Sequence, residues 1–291
     1  MKPAPFSYHA PTTRADLLAL LAAHDDCRLL AGGQSLVPLL NLRLAGPAHL
    51  IDITRVAGLD GIARDGEVLR IGATTRQRRA ERSPLVRAAF PLLSDALAHV
   101  GHVATRNRGT IGGSLAHMDP TAELSVVALV ADATLTIESA RGARTIPFVA
   151  LPTGPLATAI APDEVLTRID LPLWPEGHGW GFAEVTRRGE GFAVVSAAAL
   201  VALAPDGTCA RAALAVGGLV AAPARVGEAE ALLARRVPRD DRIAAAGEAA
   251  ARLPAESDLY GPEAYKRHLA RVLTVRALRQ AVDRARGGVR D

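Results

Sequence analysis

Two strand-to-helix junctions carrying adjacent glycines constrain the fold of this 291-residue chain more than any other feature: Leu29-Leu-Ala-Gly-Gly-Gln-Ser-Leu36 and Gly109-Thr-Ile-Gly-Gly-Ser-Leu115. Each glycine pair follows apolar or turn residues and stands just before a potential helix. Glycine has no Cβ, so it adopts positive φ cheaply and lets a backbone approach a ligand closely. A helix start beyond it offers unpaired N–H groups and partial positive charge, which suit a pyrophosphate. Gln34, Ser35, Thr110 and Ser114 could add side-chain donors. Taken singly, either loop reads as a structural turn; two of them in one small protein point to a dinucleotide clamped at its anionic centre. Neither matches G-x-G-x-x-G, and no G-x-x-x-x-G-K-[ST] occurs, so the ordinary dinucleotide and triphosphate fingerprints are excluded.

Composition removes other classes. The chain has 34 Lys/Arg against 30 Asp/Glu, a net +4, and residues 251–291 alone account for that excess. A neutral body with a basic end and few aromatic residues does not fit a nucleic-acid channel. Two cysteines, Cys27 and Cys209, cannot supply a four-thiolate iron–sulfur cluster, a Cys-rich zinc site or a disulfide framework. The first residues lack the apolar run of a secretory signal, and the longest nearly apolar run, Ala193–Ala204, is too short to cross a bilayer. The expectation is a soluble cytoplasmic protein with no transmembrane segment.

Patterning places the loops on elements. Thr12 or Thr13 can cap a helix carrying Leu17, Leu18, Leu20 and Leu21, and Ser35 can cap one over Leu36–Leu42. Strands are expected at Cys27–Ala31, His49–Ile53, Val68–Ile71, Ala133–Glu138 and Val165–Leu171, with an apolar helix at Glu123–Val130. Pro172, Pro175 and glycines 177, 179 and 181 mark a domain boundary. Beyond it, strands near Gly181–Arg187, Val194–Ala204 and Arg211–Val216 give way to helices. In the last helix, Tyr265, Leu269, Val272, Val275, Leu278 and Val282 line one face, with Lys266 and the arginines elsewhere. His99 and His102 have helical spacing, but no carboxylate or thiolate completes a ligand set with them, so no metal site is expected; no hydrolase motif occurs either.

Ala31-Gly-Gly-Gln-Ser35, Leu42-Arg-Leu44, Leu50-Ile-Asp-Ile53, Thr110-Ile-Gly-Gly-Ser114 and Asp119-Pro120 occur in that order. Arg187-Arg188 before Phe192, Val216-Gly-Gly218 with Pro223 and Arg225, and Tyr265-Lys-Arg-His-Leu269 follow. This ordered set, over nearly the whole chain, resembles the FAD-binding medium subunit of molybdenum hydroxylases, the carbon monoxide dehydrogenase and xanthine dehydrogenase family. The resemblance implies an α+β chain: a two-part PCMH-type FAD-binding domain over residues 1–176, in subdomains of about 1–55 and 56–176, then a smaller α+β C-terminal domain over 177–291 with a three-stranded sheet plus helices.

The same resemblance assigns FAD contacts to Leu30, Ala31, Gly32, Gly33, Gln34, Ser35 and Leu36, and to Thr110, Ile111, Gly112, Gly113 and Ser114. It places Val100 and Leu166 as apolar neighbours of the cofactor, and Asp119 and Glu123 near its ribose and adenine, with Glu123 standing where Asp is more usual. Phe192 falls where relatives put a ring beside the isoalloxazine; packing ahead of a strand is the other reading. Relatives often carry a lysine near Glu184; here Arg187 or Arg188 could substitute. No residue is expected to be catalytic by itself. The implied function is electron transfer: a large subunit with a molybdenum-pterin cofactor oxidises substrate, a small iron–sulfur subunit with [2Fe-2S] clusters relays electrons, and FAD here passes them to NAD, a quinone or dioxygen. The implied assembly is a dimer of heterotrimers. A stand-alone FAD-dependent reductase or oxidase of the same fold and a non-catalytic assembly subunit are the alternatives.

Overall fold

The computed structural model describes residues 1–189 and 191–287. Its N-terminal unit is a parallel three-stranded sheet of Ser7–His9, Cys27–Leu30 and His49–Asp52, with the last of these in the centre. Helix Arg14–Ala23 covers one face. Its start is fixed by Thr13, whose hydroxyl accepts the Asp16 N–H, and its leucines 17 and 21 bury against Cys27, Ile51 and Ile53. Ser35 precedes helix Leu36–Asn41 but makes no side-chain cap, so that expected role is not filled.

An antiparallel five-stranded sheet follows, in the spatial order Ile62–Asp65, Val68–Gly72, Val165–Pro172, Thr134–Ser139, Gly142–Pro147. Six short helices between Gln77 and Val130 pack on it. The last, Glu123–Val130, is buried along its whole length, which explains why its sequence is apolar on every side.

The C-terminal sheet is an antiparallel meander of Gly179–Thr186, Ala193–Leu203 and Cys209–Gly217. These are the three expected strands, extended at one edge by the two-residue strand Ala224–Arg225, too short to leave a periodic signal. Ala193–Leu203 is buried on both faces: Ala198, Leu200 and Ala202 join the core of the five-stranded region, while Val195, Ala197, Ala199 and Val201 pack on the C-terminal helices. Two-sided burial produces the continuous apolar run seen in sequence. Gly179 and Gly181 lie inside a strand rather than in a linker. Helix Glu263–Ala285 crosses them so closely that a Cβ would strike the carbonyls of Ala281 and Ala277.

That helix departs from the expected face. Lys266 is buried, its Nζ donating to Gly218 O (2.8 Å) and Asp258 Oδ2 (2.6 Å), whereas Tyr265 is exposed. The buried face runs Lys266, Leu269, Ala270, Leu273, Ala277, Leu278, Ala281, because small alanines rather than Val272 and Val275 meet the sheet. Among the described residues no helix is long and apolar enough to cross a membrane.

Candidate functional site

The strand Cys27–Leu30 ends in the first glycine loop. Gly33 has φ +73°, a conformation that side chains rarely adopt. A Cβ on Gly32 would lie 2.5 Å from Arg108 O and 2.7 Å from Gly109 Cα, so the two glycine loops touch backbone to backbone. Their junction opens a cavity of about 440 Å³ lined by Leu30, Ala31, Gly32, Gly33, Gln34, Val37, Pro38, Asp52, Thr54 and Arg108.

The donors around this cavity are unevenly shared. Among the described residues the backbone N–H groups of Gly32, Gly33, Gln34 and Ser35 have no acceptor within the chain. Most amides of the second loop are engaged: Ile111 N–H donates to Thr75 O (3.0 Å), Gly112 N–H to Ala73 O (2.8 Å) and Ser114 N–H to Thr110 O (3.2 Å), while among the described residues Thr110 N–H has no acceptor. Thr110 Oγ1 accepts the Gly113 N–H (3.1 Å), capping helix Ile111–His117. The second loop thus presents fewer free amides than the first. Most of the open amides lie on the first loop, which rests against the second through Arg108 and Gly109.

Positive charge converges on the same place. Arg76 donates to the Arg108 carbonyl, and burial, then the neighbouring Arg108 guanidinium, pull its pKa below the usual value. Among the described residues the Arg108 guanidinium has no carboxylate partner. Asp52 is tied elsewhere, accepting from Thr54 N–H (2.8 Å), Thr54 Oγ1 (2.6 Å) and Tyr8 OH (2.7 Å). Burial opposes its ionisation, but these bonds prevail and hold its carboxyl below the ordinary range. Two cations beside open amides outnumber the one carboxylate at the cavity, Asp52, and suit a diphosphate.

A second group lies where the C-terminal sheet meets the helices that precede residue 131. Glu123 opens its helix fully buried. Desolvation, then the charges of Glu184 and Asp119, push its pKa up to about 8. Glu184 Oε1 lies 3.3 Å from His99 Nδ1, and among the described residues its other oxygen, which is buried, has no hydrogen-bond partner. Asp119 Oδ1 accepts from Thr121 N–H (2.8 Å) and Oγ1 (2.6 Å). Arg106 fixes the Val100–Gly101 turn by donating to both carbonyls (3.0 and 2.9 Å) while paired with Glu81.

A model of the FAD binding domain in molybdopterin dehydrogenase matches residues 4–174, and the CO dehydrogenase flavoprotein C-terminal domain matches residues 180–281. The chain belongs to the FAD-binding medium subunits of the molybdenum hydroxylases. This medium subunit is 40% identical over 288 residues to the 6-hydroxypseudooxynicotine dehydrogenase complex subunit alpha of Paenarthrobacter nicotinovorans, covering 98% of this chain and 97% of that one. It is 34% identical to the carbon monoxide dehydrogenase medium chain of Hydrogenophaga pseudoflava, covering 97% and 98%. Against the crystal structure of quinoline 2-oxidoreductase from Pseudomonas putida 86 the TM-score is 0.93 at 36% identity, covering 98% and 99%. The medium subunit is thus an oxidoreductase subunit whose cofactor is FAD, and its fold is the α+β fold of the family.

The open amides of the first loop, the Arg76–Arg108 pair and the unpartnered Glu184 oxygen fit a flavin dinucleotide, which brings both an anionic centre and hydroxyl groups. Leu30–Gln34 line the cavity, whereas no residue of Thr110–Ser114 does; that loop meets the first one outside the cavity, where a Cβ on Gly113 would lie 3.6 Å from Ala31 Cβ, and Glu123 and Asp119 belong to the second group. Leu166 is buried in the main core beside a bulge in its strand. Phe192 is 62% exposed, which removes the core-packing reading and leaves its ring available to a ligand. Arg187 and Arg188 are both exposed, and Arg187 donates to Leu259 O. His99 ends one helix and His102 precedes the next, so they share no helical face. Sequence reasoning passed over Arg76, Arg108, Asp52 and Thr54. The local signals were the arginines ahead of Gly109 and the motif Leu50-Ile-Asp-Ile53, which contains Asp52.

The raised Glu123 pKa has a measurable consequence. The unfolded carboxyl ionises near 4.5 and the folded one near 8, so the native state holds the extra proton between these values. The associated stability is complete below pH 4.5 and is lost as pH rises through 8. For flavin-free protein, Glu123→Gln should flatten this decline, which is on the order of a few kcal/mol in the wild type. Thermal melts from pH 5 to pH 9 read the difference; parallel profiles for the two proteins would mean that Glu123 is already ionised in the fold.

Proposed function

We propose that this medium subunit is the flavin-bearing end of an electron relay in a heteromeric molybdenum hydroxylase. Gly32, Gly33, Gln34 and Ser35 hold the pyrophosphate through their open N–H groups, and Arg76 and Arg108 balance its charge. Val100 and Leu166 give the cofactor apolar surface, Asp119, Glu123 and Glu184 meet its hydroxyls or ring atoms, and the exposed Phe192 lies against the isoalloxazine. Bound FAD supplies redox chemistry able to join one-electron carriers to an external acceptor.

The division of labour extends to the partners. A small subunit carries [2Fe-2S] clusters and a large subunit the molybdenum-pterin cofactor, arranged as a cytoplasmic dimer of heterotrimers, with NAD, a quinone or dioxygen as acceptor. The boundary at 176/177 separates the FAD-binding part from the C-terminal part. The observation that carries this reading is the pairing of an anion-ready cavity with a chain unable to host clusters, since its two cysteines are buried and free.

The test separates cofactor from turnover. The isolated chain is expected to bind one FAD and to oxidise no organic substrate; added to its partners, it should connect substrate-reduced clusters to the acceptor. Turnover by the isolated chain would instead mark a self-sufficient reductase or oxidase. A colourless, flavin-free native complex would mark an assembly subunit.

A further inference from the structure

Three histidines that the flavin site does not use converge on the N-terminal sheet. In the parallel register His49 stands opposite Ser7 and Cys27, and His9 opposite Ile51, so both imidazoles rise from the face that helix Arg14–Ala23 covers. His24 follows the last residue of that helix. Its turn is held onto the sheet by Asp26, whose carbonyl accepts the His49 N–H (3.1 Å) and whose carboxylate accepts the Ala48 N–H (3.0 Å). The rings meet at the rim of the small core, each half-buried. His9 Nε2 is 3.0 Å from His49 Nδ1, the His24 and His49 rings stack at 3.8 Å, and one nitrogen from each of the three lies within 4.8 Å of the others.

We propose that His9, His24 and His49 form a binding site for a late first-row divalent transition metal of the Zn²⁺ class, completed by water. Three imidazoles with no carboxylate or thiolate in the set are a donor group that suits Zn²⁺, Cu²⁺ or Ni²⁺ rather than Mg²⁺ or Ca²⁺. Ligands about 2.05 Å from a tetrahedral Zn²⁺ are roughly 3.3 Å apart. The His9–His49 nitrogens therefore need to separate by a few tenths of an ångström, and His24 needs to rotate out of its stack by about an ångström. Half-burial leaves the fourth position open to solvent, as three-histidine sites require.

The site is separate from the flavin cavity. His49 opens the central strand, while the glycine loop leaves beyond Leu30, paired with Asp52 three residues further along. At about 3.3 Å per residue that is roughly 10 Å away. A metal here joins the edge strand, the end of the first helix and the central strand, which otherwise meet through short backbone ladders and a small apolar core. Its role is that of a staple on the N-terminal unit.

The test uses the tag-free, FAD-loaded full chain titrated with Zn²⁺ and, separately, with Co²⁺. One Zn²⁺ per chain at micromolar affinity is expected, with intense visible Co²⁺ bands of a tetrahedral site, and a higher melting temperature with Zn²⁺ present. The double variant His24→Gln/His49→Gln should lose at least about a hundredfold in affinity together with the Co²⁺ bands, with flavin content unchanged. Should that variant fold poorly, His9→Gln on the edge strand is expected to weaken binding about tenfold and to abolish the thermal shift. Equal binding by wild type and variants, or no Zn²⁺ binding below about 100 μM, would leave a hydrogen-bonded histidine stack only and overturn the proposal.

Discussion

Gly32→Val is expected to yield a folded, colourless protein. The new Cβ would meet Arg108 O at 2.5 Å and Gly109 Cα at 2.7 Å. Both are backbone atoms, so no side chain can turn aside, and the two loops must separate. Forcing a packed junction apart costs about 1–3 kcal/mol, which a chain with three apolar clusters survives. Flavin binding depends on the same junction more steeply. Charge-assisted hydrogen bonds contribute roughly 1.5–3 kcal/mol each, and misplacing two of them weakens FAD at least about a hundredfold. Flavin absorbance after gel filtration reads the loss, and Gly46→Ala, where a Cβ meets nothing within 4 Å, is the control that should keep its colour. Full flavin content in Gly32→Val would show that the loop contact is structural and that FAD lies elsewhere.

Arg108→Glu should move stability and affinity in opposite directions. In the flavin-free protein the Arg108 side chain is exposed and presses its charge on Arg76; a carboxylate there would attract Arg76 instead. The flavin-free melting temperature is therefore expected to hold or rise by about 1–3 °C. In the FAD complex the variant loses one charge-assisted contact and adds repulsion against the pyrophosphate, so affinity should drop by about a hundredfold or more. Arg108→Gln should fall between, and high salt should narrow the gap between wild type and the reversal. Unchanged FAD affinity for Arg108→Glu would place the pyrophosphate away from this cavity. A lowered flavin-free melting temperature would mean that the guanidinium has a structural partner.

Much of this architecture is readable along the chain because its causes are local. A glycine at positive φ, a threonine cap at Thr13 or Thr110, and a proline-studded junction each leave a mark within a few residues of where they act. The strand Ala193–Leu203 is legible for a tertiary reason that happens to write a local pattern, since burial on two faces demands an unbroken apolar run. The last helix shows where such reading stops. Its valines at 272 and 275 look like the core face, yet Lys266 is inside, because Gly218 O and Asp258 are brought to its ammonium by segments 48 and 8 residues away.

The sequence by itself determined the class of the protein: two glycine pairs, the second of which proves to lie in the first turn of a helix, an ordered set of family motifs, and two cysteines too few for any cluster. Only the tertiary structure decided which groups stand open at the cavity. It left most of the open amides on the first loop and engaged most of those of the second through Ala73, Thr75 and Thr110. It also set Arg76 beside Arg108 and gathered His9, His24 and His49 at one rim. Local dihedral preferences act over a turn or two and can be read residue by residue. Which distant residues meet is set by sheet register and by which backbone acceptors lie within 3 Å, and those emerge only when the strands pair.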